Sequence, residues 1–90
     1  MPLQILSSPP PEPAEVRGRL EAAIAEALPG ARVEVTAGSP GHFEIQVVSE
    51  AFAGKSRVQQ QQMVYAAIAP LMGGDAPPVH AVDRMVTRTP

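Results

Sequence analysis

The sequence predicts an α+β fold in the order α-β-β-α-β, with two helices on one face of a three-stranded mixed sheet. Three observations carry this prediction. Two stretches repeat their apolar residues at the helical period, two short runs between them alternate strictly, and a long helical crossover precedes a third run.

Ala14–Leu28 is the first helix. Val16, Leu20, Ala23, Ile24 and Ala27 recur every three to four positions, while Arg17, Arg19, Glu21 and Glu26 fall mostly elsewhere. Pro29-Gly30 ends it. Arg32–Thr36 then alternates, with Val33 and Val35 on one face and Arg32, Glu34 and Thr36 on the other. After the turn at Ala37–Gly41, His42–Ser49 alternates again, turning Phe43, Ile45 and Val47 inward and leaving His42, Glu44 and Gln46 outside. Together these runs predict a β-hairpin with one buried face. Arg57–Leu71 returns to the helical period through Val64, Ala67, Ile68 and Leu71, with Pro70 expected to kink or end it. Met72–Pro78 is a Gly/Pro loop, and Val79–Val86 the last strand, begun by His80. The crossover is long enough for a right-handed connection, which allows the third strand to run parallel to the second.

Ninety residues make one domain at most. Residues 1–13 hold five of the eleven prolines and are expected to form a flexible tail, leaving 14–90 as the folded unit. Fourteen of the apolar residues are alanines, so the core rests on ten Val, five Leu and four Ile in a thin two-layer fold. The chain has no cysteine, hence no disulfide framework, no thiolate metal cage and no Cys nucleophile. A net charge of −2 disfavours non-specific nucleic-acid binding, which needs clustered cations. No apolar run approaches the ~20 residues of a membrane span. Met1–Leu6 is short and uncharged for a signal peptide, so a cytoplasmic protein is expected.

Little of the chain suits catalysis. His42 and His80 are the only histidines, and no carboxylate is linked to either by sequence as an orienter. Ser39, Ser49 and Ser56 suit turns and caps. Gly54-Lys55-Ser56 superficially matches the end of a phosphate-binding loop, but Ser49 stands where that signature needs another glycine; Ser56 capping the second helix is the better reading. In Gln59-Gln60-Gln61-Gln62, helical spacing puts Gln60 and Gln61 beside the apolar stripe and turns Gln59 and Gln62 outward. His80 alone suits a strand residue bonded to nearby backbone. It also suits a metal ligand, since a neutral imidazole at a loop–strand junction is accessible, and a second ligand would then come from His42 or from a partner.

Several segments share their spacing with one family. Phe52-Ala53-Gly54-Lys55-Ser56-Arg57-Val58 followed by Met63-Val64-Tyr65, Val79-His80-Ala81, Thr87–Pro90, and His42-Phe43 leading to Val47-Val48-Ser49 together resemble the BolA-like proteins over residues 14–90. The resemblance implies a fold similar to class II KH domains and a monothiol glutaredoxin as partner. It implies a bridging [2Fe-2S] cluster held by a glutaredoxin Cys, a glutathione thiolate and His80, with none bound by the isolated chain. Many such proteins carry a further Cys or His between the first two strands. Ala37–Gly41 has neither, and only His42 could substitute. Gln60-Gln61-Gln62 replaces the Arg-His-Arg of the founding members and is closer to a subgroup with Gln-Gln there. The family's closing helix has no counterpart in these ninety residues.

The leading expectation is thus a non-enzymatic adaptor in iron–sulfur trafficking or iron homeostasis. The runner-up is a nucleic-acid-binding transcription or stress-response regulator using Lys55, Arg57, Arg84 and Arg88. A stress-linked interaction domain without metal is the third, and weak homodimerisation stays open.

Overall fold

The structure, a computed structural model, describes residues 11–90. The expected tail lies almost wholly outside the described residues, and Pro13, the tail's last member and a residue suited to a helix's first turn, is the first residue of helix α1 (Pro13–Ala27). Glu12 before it is extended, as a residue preceding proline must be, and proline costs nothing at a position whose N–H has no helical partner. Val16, Leu20 and Ile24 form the buried stripe, and Leu28 extends it beyond the helix end.

Strands β1 (Arg32–Ala37) and β2 (His42–Val48) pair antiparallel with Val35 opposite Ile45, and β3 (Ala81–Arg88) runs parallel to β2 with Met85 opposite Ile45. The order β1-β2-β3 makes β2 central. Its Phe43, Ile45 and Val47 accordingly bear on both helices' side of the sheet, each 2% exposed or less. Glu44 and Gln46 point the other way and are exposed, so both helices cover one face and the second is polar. Val64 and Ile68 of helix α2 (Arg57–Met72) close the core from above.

Three boundaries differ from expectation. Helix α2 runs through Pro70 to Met72, because a proline in the last turn removes a single i→i−4 bond rather than breaking a ladder. Between β2 and α2 lies an unforeseen 3-10 turn, η1 (Glu50–Phe52), capped by Ser49, whose Oγ accepts from the Ala51 N–H. It drops Phe52 into the core with no exposed surface. Strand β3 begins at Ala81, not Val79, and reaches Arg88. His80 therefore precedes the strand instead of beginning it. The Val79 N–H is spent on the Leu71 carbonyl, and those of His80 and Ala81 both reach the Gly41 carbonyl, so regular pairing starts one residue later.

Three of the four glutamines in the run carry hydrogen bonds. Ser56 and Gln59 form a reciprocal capping box, which satisfies two backbone donors at the start of α2. Gln60 donates to the carbonyls of Phe52 and Lys55 and accepts from Thr87 Oγ1 at 2.8 Å, tying the turn, α2 and β3 together. Gln61 donates to the Met85 carbonyl on the outer edge of β3. Gln60→Ala is expected to cost about 1–2 kcal/mol, because it strips partners from half-buried groups on three segments. Gln62→Ala, on the exposed face, is expected to change little. Urea unfolding of the two variants separates these outcomes.

Candidate metal centre

His42 and His80 meet at one corner of the sheet, and Gly41 joins them. Gly41 precedes His42 in the chain, and its carbonyl accepts the N–H groups of His80 at 2.8 Å and Ala81 at 3.1 Å. In the parallel register His42 then lies directly opposite Ala81, next to His80. The two histidines, remote in sequence, thus share a corner because β3 enters the sheet at the end where β2 starts. His80 is exposed and His42 half-buried.

A register irregularity places the third member. Phe43 pairs with Val82 but Glu44 pairs with Arg84, so Asp83 is the extra residue of a bulge. Strand alternation from Ala81 puts Asp83 on the helix-free face with His42, where its Oδ1 lies 2.9 Å from His42 Nδ1. The sequence tied no carboxylate to either histidine; the fold brings Asp83, three residues beyond His80, to His42 from 41 positions away. The pair is exposed, 38% and 51% for the two side chains, so its contribution to stability is small, about 0–1 kcal/mol. Its chemical consequence is larger. A neutral His42 that donates from Nδ1 to Asp83 keeps its lone pair on Nε2, the arrangement by which a carboxylate orients a metal-binding imidazole.

Among the described residues no three His, Cys, Asp or Glu side chains converge as a metal site. The corner brings the backbones of two histidines together, His80 exposed and His42 half-buried. A cleft of about 230 Å³ lined by Leu28, Val48, Ser49 and Pro90 lies at the opposite end of β2.

The four cations named for nucleic acid do not form one patch by backbone placement. Lys55 and Arg57 flank the start of α2, and Gln60 ties that segment to Thr87, beside Arg88. Arg84 lies further down the polar face, opposite Glu44 and next to Asp83, where acidic neighbours offset its charge.

The pattern of the family described as "BolA-like protein" matches residues 24–90, which spans both histidines, the α2 start and all of the sheet. The chain belongs to the BolA-like family. Human BolA-like protein 1 is 39% identical over 85 residues, covering 89% of this BolA-like chain and 59% of the human protein. The chain thus spans somewhat more than half the length of the curated relatives it matches. A bol-like protein from Babesia bovis has the same fold at a TM-score of 0.64 and 30% identity, over 82% of this chain and 84% of that one. The BolA domain of SufE1 from Arabidopsis thaliana matches at 0.70 and 26% identity, over 83% and 92%. The expected α+β architecture is that of these BolA-like structures. No helix among the described residues is long and apolar enough to cross a membrane.

Proposed function

We propose that this BolA-like protein is a non-enzymatic adaptor that pairs with a monothiol glutaredoxin and co-ligates a bridging [2Fe-2S] cluster, in iron–sulfur trafficking or iron homeostasis. The observation that supports it best is the corner at Gly41, where the parallel register sets the backbones of His42 and His80 next to one another. The donor set suits the cluster. A [2Fe-2S] centre has four terminal ligand positions and accepts imidazole in place of thiolate at two of them. A glutaredoxin Cys and a glutathione thiolate fill two, and His80 and His42 fill the rest. The cluster supplies electron-transfer or cargo chemistry when bound; the chain supplies the imidazoles and holds His42 through Asp83.

Membership of the family, rather than the corner itself, is what directs the choice of partner. The nucleic-acid reading gains nothing from the structure, since Arg84 is separated from the other three cations and sits beside acids.

The test is co-reconstitution of the chain with a monothiol glutaredoxin, glutathione, iron and sulfide. A heterodimer is expected, with a visible absorption and circular dichroism spectrum distinct from that of the glutaredoxin homodimer. A spectrum identical to the homodimer's, with the chain eluting separately and colourless, refutes the reading. A salt titration against DNA and RNA covers the alternative: a steep fall in affinity with salt would mark several phosphate contacts and favour it.

A further inference from the structure

Gly41 does more than turn the chain. Its φ of +80° is one that L side chains rarely adopt, which already favours glycine. A Cβ at this position would also lie 2.6 Å from both Cγ and Nδ1 of His80 and 3.0 Å from its Cε1, closer than real Cβ atoms come. The pattern of these distances is informative. Equal approach to two bonded ring atoms, with a third only slightly farther, places that Cβ over the ring face; an approach in the ring plane would leave Cε1 well behind the other two. The imidazole of His80 therefore lies flat against Gly41, with its Cγ–Nδ1 bond beneath the glycine, so that Gly41 meets the face of the ring and not its edge. The same glycine holds the His80 backbone by its carbonyl. Gly30, Gly54 and Gly74 have comparable positive φ values, from +76° to +89°, yet a Cβ on any of them would meet nothing within 4 Å. The crowding is peculiar to Gly41.

We propose that Gly41 is a positioning residue for His80. It is a flat seat that fixes the plane of an otherwise exposed imidazole by meeting its face and not its edge. An exposed histidine ordinarily samples several rotamers, and each ordered degree of freedom is lost again when a ligand is bound. A ring already held by backbone at one face loses less. The consequence for metal binding rests on the ligand role proposed for His80, but the seat is a property of the chain alone and is tested on the metal-free protein.

The experiment compares Gly41→Ala with Gly30→Ala, which carries the same backbone strain without the ring. In NMR spectra of the metal-free chain, Gly41→Ala is expected to shift the imidazole 15N and 13C signals of His80, whereas Gly30→Ala leaves them at their wild-type positions. Unmoved His80 signals in Gly41→Ala overturn the proposal. Should Gly41→Ala fail to fold, the double variant with His80→Ala decides: recovery of the fold once the ring is gone supports the seat, and no recovery overturns it, because something other than the ring is then the obstacle. The ligand reading is separable. Were His80 no ligand, Gly41→Ala would still move the ring signals while the reconstituted heterodimer kept its wild-type spectrum; as a seat for a ligand, Gly41→Ala changes that spectrum and Gly30→Ala does not.

Discussion

Phe52→Ala is expected to destabilise the domain by about 3–5 kcal/mol, the cost of emptying a fully buried aromatic site that neighbours refill only in part. Phe52 is the largest side chain with no exposed surface, held there by a single 3-10 turn between β2 and α2. It shares one core cluster with Val64 and Ile68 of α2, Ile45 and Val47 of β2, and Leu20 and Ile24 of α1. A domain of this size has on the order of 5–13 kcal/mol of stability in all, so the loss is roughly a quarter of it or more. The chain cannot spread the loss, since the remaining core is aliphatic apart from Phe43. Urea unfolding is expected to show a midpoint lowered by about 2 M with the slope retained. Tyr65→Ala, removing an aromatic that is 40% exposed on α2, is expected to stay within about 1 kcal/mol of wild type. Equal effects of the two substitutions would mean that the turn does not hold Phe52 in the core.

What was legible in the sequence follows from period. Both helices and the hairpin repeat their apolar residues at 3.6 or 2 positions, and each formed within two residues of its expected ends. The facing of Gln60 and Gln61 was equally readable, because helical geometry alone decides it. Phe52 was not, since three residues in η1 complete no period, and its neighbours Ala51 and Ala53 are exposed. Nor was the start of β3. The N–H groups of Val79, His80 and Ala81 have partners at Leu71 and Gly41, chosen by packing at the end of the crossover and not by local pattern. The candidate site shows the same division. His80 stood out through its Val-His-Ala context, whereas its seat on Gly41 and the Asp83 partner of His42 arise from the register of the parallel pairing and a bulge, neither of which leaves a mark in one sequence.

His80→Ala is expected to abolish the heterodimer spectrum in co-reconstitution, leaving the mixture with that of the glutaredoxin homodimer. The ligand count makes the effect all-or-none rather than graded. In the proposed arrangement thiolates from outside the chain would fill two positions and two imidazoles the others, and removing one imidazole would leave an iron with an open position for solvent or a competing thiol. His80→Cys separates lost ligation from lost structure. It is expected to restore a bridged cluster with a lower reduction potential, because thiolate in place of imidazole lowers it. The potential, read by mediated redox titration, is not something a merely structural role would move. His42→Ala is expected to act in the same direction. Asp83→Ala frees the His42 ring without removing it, and weakens the complex by the ~10–100-fold typical of a lost orienting partner. An unchanged spectrum in His80→Ala would show that His80 is not a ligand, and a change in His42→Ala alone would pass the role to the histidine that Asp83 holds.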